Sequence, residues 1–326
     1  MDKSKLIDLY SKRGASDKQA QQAIDCVLSL ERHLVAKGTE LDTCSVEDVK
    51  SYIASLLAKG EIKSETLLAM ARYFYLENRH DIYIYFTKLF GGMGVLENIK
   101  RRAEKYAGEE TAQKIFDGFT LPPLGTAIEE VPKYTNDLMA RLKKHTSPDL
   151  YKKILAGNNH GVPEQSMQSE KELYEKSESL AQYLKERHER KVAELQQYCD
   201  TGQIWYEQEI TQPVVDFVAS NQEILSAVEK DGKLYVTKIP YDPAAYLTAK
   251  TDKEKNYYAC HCTFAREAIM SGHDAVNSDW CYCSAGFGKF PFEVILGREL
   301  DVKVINSALD GDGFCRFEID LGESKS

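Results

Sequence analysis

Half of the chain's eight cysteines fall in one short window: Cys260-His261-Cys262 and, after residues 263–280, Cys281-Tyr282-Cys283. Residues two apart in an extended strand point the same way, so each pair read as strand presents both thiols on one side. Two neighbouring strand ends would then bring four sulfurs together. Helices are predicted over 263–270 and 290–296, just downstream of the pairs, and a thiol near a helix N-terminus has its thiolate stabilised. Arg266 and Lys289 would act in the same direction.

Three chemistries fit this pattern. Zinc or another soft metal would be held by Cys260, Cys262, Cys281 and Cys283, or by three of them with His261, although C-x-C is tighter than the usual C-x-x-C knuckle. A nucleophilic or redox cysteine, Cys260 or Cys283, needs one lowered pKa and a base, for which His261 and His160 are the candidates. The third reading is four reduced cysteines buried around an apolar pocket. The spacing leaves all three open.

Other residues admit a functional and a structural reading side by side. His160, in the turn-rich Gly157–Pro163 stretch, suits acid–base or binding work on a loop, or a helix C-terminus favoured by the dipole. The run Ser284-Ala285-Gly286-Phe287-Gly288-Lys289 has the small residues of an anion cradle but not the glycine order of a P-loop. Trp280, Tyr282, Phe287, Phe290 and Phe292 would line an apolar pocket or fill a core. Cys315 shares a strand face with Phe317, Ile319 and Leu321 and reads as a core residue, and His188 reads as a hydrogen-bonded core histidine.

The elements that must position these groups change character along the chain. Residues 16–116 read as helices: Ile24, Val27, Leu28, Leu30, Leu34 and Val35 recur at helical spacing, and Ser45 with Asp48 forms a capping box before Val49, Ile53 and Leu56. Ser64 starts a further helix and 91–94 breaks the pattern. The proline-rich 118–126 stretch reads as a boundary. Ser147-Pro148 starts another helix, and a long charged helix is predicted over 170–197. Strands are predicted over 234–239, 301–309 and 314–321, with turns at 229–233 and 310–313.

The fold class expected is therefore α+β: an all-helical domain over 1–117, a helical connecting region over 118–200, and an α+β domain with a mostly antiparallel sheet over 201–326. Composition is that of an ordinary soluble protein, with no signal peptide and no apolar run long enough to span a bilayer. The cysteines then read as reduced and the location as cytoplasmic, with no membrane partner. A net charge of −9 argues against nucleic acid as the main partner and leaves a homo-oligomer open.

The segment 280–321, WCYCSAGFGKFPFEVILGRELDVKVINSALDGDGFCRFEIDL, resembles the C-terminal signature of 4-vinyl-reductase-like small-molecule-binding domains. The matching features are Cys281 or Cys283, a glycine-containing helix ending in Gly297-Arg298, a strand, and Gly311-Asp312 before Cys315 and Phe317. The same ending is similar to that of L-2-amino-thiazoline-4-carboxylic acid hydrolases. From about Phe119 onward the chain also resembles an uncharacterised bacterial family with HGVP, KIPY and CHC motifs, here starting at His160, Lys238 and Cys260. The resemblance implies a small apolar or heterocyclic ligand. Phenol-sensing relatives hold zinc with a Glu and a Cys at positions that are Val304 and Ser307 here, so that zinc site is not carried over. Residues 20–89 resemble the SAM-like helical domain of tyrosine recombinases, without the recombinase H-x-x-R motif.

These readings converge on a small-molecule-binding protein with a C-x-C…C-x-C metal or thiolate site, zinc being the implied metal. A cysteine- or metal-dependent hydrolase and a DNA-associated regulator are the alternatives.

Overall fold

The computed structural model describes residues 1, 3–90, 92–273 and 275–322. Helices fill the N-terminal part, and helices with small antiparallel sheets form the rest, so the fold is α+β. Two compact units divide the chain: Met1–Gly91 with Pro122–Ile128, and Gly92–Leu121 with Glu129–Ser326.

The first unit holds α1 (Lys3–Lys12), α2 (Asp17–Ala36), α3 (Val46–Lys59), α4 (Ser64–Leu76) and α5 (His80–Phe90). The predicted stripe of α2 is buried at Ile24, Val27, Leu30 and Leu34, while Val35 faces solvent. Ser45 and Asp48 close the capping box on α3 reciprocally, satisfying two backbone N–H groups that no earlier turn can reach. Phe74 and Phe86 stack across α4 and α5 in this core. Gly91 lies outside the described residues, and Gly94, at φ 75°, precedes the next helix.

The second unit begins with α6 (Val95–Ala107), α7 (Glu109–Phe116), α8 (Val131–His145) and α9 (Pro148–Leu155). Val95, Ile99, Ile115, Leu138 and Ile154 share one core, which places α6 and α7 with the helices that follow the proline-rich stretch. There is no separate unit over 118–200. The long helix expected over 170–197 is two, α10 (Gln168–Lys176) and α11 (Leu180–Thr201). Ser179 turns extended between them and accepts a hydrogen bond from Gln182 N, capping α11. On α11 the buried positions are Tyr183, Leu184, Arg187 and Leu195, with His188 half-buried and its Nε2 3.4 Å from Ala219 O.

A short hairpin follows, β1 (Ile204–Trp205) and β2 (Gln208–Glu209), then α12 (Gln212–Ala219) and α13 (Glu223–Ser226). The main sheet consists of β3 (Val228–Lys230), β4 (Lys233–Thr237), β5 (Asp301–Asn306) and β6 (Arg316–Asp320). Its order is β3-β4-β6-β5, antiparallel at every pairing. Between β4 and β5 run α14 (Pro243–Thr248), α15 (Asp252–Ala259), α16 (Arg266–Ser271) and α17 (Tyr282–Leu296). Leu234, Val236 and Ile319 on one sheet face are buried with Phe292 and Ile295 of α17 and with Tyr183 and Leu184 of α11. Period-2 alternation thus gives the sheet one apolar side, and two helices cover it. Cys315, Phe317, Ile319 and Leu321 are buried together, as their shared strand face requires.

Two sequence expectations are corrected. Neither C-x-C pair is a strand: Cys260–Cys262 are coil after α15, and Cys281 and Cys283 enter a helix. The second helix starts at Tyr282 and not at Phe290, so residues 284–289 lie inside α17 and form no anion-cradling loop. Helix pitch, not strand pleat, separates Cys281 from Cys283 around the axis. The glycines there serve close packing. A Cβ on Gly286 would sit 2.4 Å from Gly157 O and 2.5 Å from Gly157 N, and one on Gly288 would meet the Phe317 ring at 3.1 Å.

Gly286→Ala therefore forces a helix and a turn apart backbone against backbone, which no rotamer change can relieve. We expect a loss of at least about 1–3 kcal/mol in urea unfolding, with a smaller loss for Gly288→Ala, where a ring can shift. Equal effects would place the tight contact elsewhere.

Candidate functional site

Four segments of the second unit meet around the start of α17. The turn after α9 is clamped by Asn158, whose Oδ1 accepts from Val162 N at 2.9 Å and whose Nδ2 donates to Val162 O at 2.8 Å. Its Asn159 is buried, donating through Nδ2 to Leu155 O at 2.5 Å and toward Cys283 Sγ at 3.6 Å. Asn98 Nδ2 holds Asn159 O at 2.8 Å. This turn carries His160 to Phe287, ring centroids 5.2 Å apart and edge to face.

The second segment, Lys238–Tyr241, leaves the end of β4. Lys238 N donates to Cys315 O at 3.0 Å, so the chain is still paired to the approach of β6 when it turns inward. Lys238 Nζ donates to Ser284 Oγ at 3.1 Å and lies 5.4 Å from the Phe287 ring centroid. The third segment is the Cys260–Cys262 coil. Asp242 N bonds Tyr258 O at 3.0 Å, and Ala265 N and Arg266 N both donate to Cys262 O, so the coil is tied at both ends. The fourth is α17 itself. The 3₁₀ turn before it is anchored by Asp279, which accepts from Tyr151 at 2.8 Å and pairs with Lys143 at 3.0 Å.

Within this frame the histidines have defined roles. His261 lies 2.6 Å through Nε2 from Ile239 O, so that nitrogen carries the proton and donates. Burial first, and Lys238 second, push its pKa well below the usual histidine value, which leaves Nδ1 with a free lone pair. His160 is lowered to about 4 by burial and by Lys238. Both imidazoles are therefore neutral at pH 7.

The thiols are neutral as well. Cys262 Sγ accepts from Trp280 Nε1 at 3.2 Å, and Cys281 Sγ lies 3.1 Å from Ser307 Oγ. Burial raises Cys260, Cys262, Cys281 and Cys315 above the ordinary thiol value and pushes Cys283 up to about 12. The expected lowering by helix N-termini is thus reversed. Lys289 does not act on the thiols: its Nζ bonds Glu293 Oε1 at 2.5 Å and Leu300 O at 2.6 Å. Arg266 stacks 3.9 Å over the Tyr241 ring centroid.

The structure brings Cys260, Cys262, Cys281, Cys283, His160 and His261 into one region, and Cys315 joins them: Cys260 feels Cys262 and Cys315, while Cys283 feels Cys262 and Lys238. Among the described residues, no group of three or more His, Cys, Asp or Glu side chains is arranged to hold a metal ion. Ser307, at a position where phenol-sensing relatives place a zinc ligand, is buried and accepts from Leu309 N while its own N bonds Asp312 Oδ2. The set does not fit that zinc. Of the aromatics, Trp280, Phe290 and Phe292 are core, and Phe287 borders the site with 41 % of its surface exposed.

The residue that sequence reasoning missed is Lys238. It is half-buried, and burial lowers its pKa, while the thiols Cys315, Cys260, Cys262 and Cys283 act in the raising direction. It nonetheless keeps part of its surface accessible, and His160 keeps more. The only signal in the sequence was its place at the head of the KIPY motif.

No protein-family model, no curated protein and no solved structure matches the chain.

The neutral state of these groups makes stability depend on pH with a fixed sign. A histidine lowered to about 4 binds fewer protons folded than unfolded between that value and 6.5, so folding stability falls as pH drops through this window. Thiols raised above 9 act oppositely: the folded state keeps protons that the unfolded chain loses, and stability falls as pH rises from 9 toward 12. Urea unfolding across pH should show both limbs, and His160→Gln should flatten the acid one. An acid limb unchanged in that variant would remove His160 as its source.

Proposed function

We propose that the second unit is a small-molecule-binding domain whose site is the recess around Lys238, between the His160 turn, the Cys260–Cys262 coil and the start of α17. The observation that carries this reading is Lys238 itself. It is an enclosed amine that hydrogen-bonds Ser284 and enters no ion pair with a carboxylate among the described residues. A half-buried lysine without a counter-charge has hydrogen-bonding capacity that another molecule can complete.

The surroundings suit a ligand with an apolar ring and one acceptor group. Phe287 offers a partly exposed aromatic face, and the thiols present soft, uncharged surface. The resemblance of 280–321 to 4-vinyl-reductase-like small-molecule-binding domains agrees with this. The cysteine-dependent form of the hydrolase alternative requires a thiolate, and burial disfavours one at these thiols, so binding is the reading favoured over it.

A panel of small aromatic and heterocyclic acids, aldehydes and ketones, screened by thermal unfolding, tests it. At a hundredfold excess over Kd, a true ligand adds about 2.7 kcal/mol, or roughly 5–10 °C for a chain of this size. Lys238→Met should weaken that ligand roughly tenfold to a hundredfold, the span of a hydrogen bond to a charged or strongly polar group. Binding that survives both Lys238→Met and Phe287→Ala undiminished would place the site elsewhere.

A further inference from the structure

We infer that Lys238 is an imine-forming lysine whose amine takes the carbonyl carbon of a small aldehyde or ketone seated against Phe287. This rests on the small-molecule reading above and names its ligand class. The geometry supports it in three ways.

First, no carboxylate among the described residues pairs with the amine to hold it as an ammonium; its hydrogen bond goes to a neutral hydroxyl, Ser284 Oγ at 3.1 Å. The groups around it are thiols, an imidazole and a ring, with no carboxylate among the described residues to hold a proton on the amine. Second, Lys238 and His160 flank one ring: Nζ is 5.4 Å and the imidazole centroid 5.2 Å from the Phe287 centroid. A carbonyl compound lying on that ring meets the amine on one side and a neutral imidazole on the other. Third, the neighbouring cations have partners of their own among the described residues. Arg266 stacks on Tyr241 and Tyr257 and pairs with Glu267, Lys289 pairs with Glu293, and Arg102 donates to Ile154 O and Lys153 O.

The step balances within the site. The Lys238 lone pair forms the C–N bond, and the carbonyl π electrons move to oxygen, which takes a proton. The resulting carbinolamine then loses its C–O bond. Both amine protons and the carbonyl oxygen depart as one water, leaving the neutral C=N bond. His160, which shares the Phe287 ring with Lys238, is the proposed relay for those protons, taking one from nitrogen and returning it to oxygen. No oxidant or reductant is needed.

Reductive trapping on the full chain decides it. The protein is treated with benzaldehyde and sodium cyanoborohydride at pH 7, and the time course of benzylation is followed by intact mass and peptide mapping. The expected result is one benzyl group per chain, on Lys238, forming at least ~10 times faster than on Lys303, whose side chain is 75 % exposed. Lys238→Arg should remove the fast adduct while keeping the wild-type circular dichroism spectrum. The internal comparison with Lys303 needs no variant and so stands if that one fails to fold. Thiol adducts of the aldehyde revert and are not trapped, so cysteine cannot mimic the result.

Equal rates at Lys238 and Lys303 overturn the imine. In that event, benzoate or benzyl alcohol raising the unfolding temperature of wild type but not of Phe287→Ala would leave the binding reading intact. If neither ligand does so, both readings fall.

Discussion

A missing side chain governs this unit. At Gly286 the helix α17 touches the backbone of the turn at Gly157, at a distance where a single methyl group would overlap both its N and its O. That contact presses the turn after α9 against the first two turns of α17, and from it follow the approach of Asn159 to Cys283 and of His160 to Phe287. Two residues further along α17, Gly288 makes similar room for the Phe317 ring, which joins the helix to the sheet. Lys238, tethered through its own N–H to Cys315 O, then has only the space between these contacts to occupy. Packing at native density leaves little slack, so the places of these polar groups are a consequence of where the backbones meet.

The electrostatics of the region show which of two effects wins. A helix N-terminus favours a nearby anion by about 0.3–1 kcal/mol, and by ~2 in partly buried sites. Full burial of an ionisable group can shift its pKa by up to about 3–5 units, several kcal/mol against the charged form. Cys281 and Cys283 sit where the first effect operates, yet both are raised, because desolvation is the larger of the two. The same desolvation lowers His160, His261 and Lys238. A single cause thus keeps thiols and imidazoles uncharged and lowers the pKa of the amine, and the region offers lone pairs and hydrogen-bond donors.

Much of the scaffold was legible in the sequence. The Ser45–Asp48 box, the Ser147-Pro148 start of α9 and the alternation of β6 are local patterns whose physics acts within a few residues, and each appears where expected. Patterns that depend on competition between neighbours were less legible. The 170–197 helix breaks because Ser179 caps the following helix, and the Cys281–Cys283 pair lies on a helix because the residues after it propagate one. The division of the chain at 91–92 showed in the sequence only as a break in the helical pattern at 91–94, since it turns on which core Val95, Ile99 and Ile115 join.

Residue types and spacing by themselves determined that cysteines and histidines of the HGVP, CHC and C-x-C motifs were the groups to watch, and that an antiparallel sheet with helices would carry them. Tertiary structure alone decided their chemistry. Whether a thiol is a thiolate, and whether a lysine has a counter-charge, depends on what surrounds it in three dimensions. Lys238 is separated from Ser284 by 46 positions and from Cys315 by more, yet these are the groups that define it. Local propensity acts over one or two turns of chain, whereas desolvation and hydrogen bonding act over a few ångströms of space, and only folding makes the two distances meet.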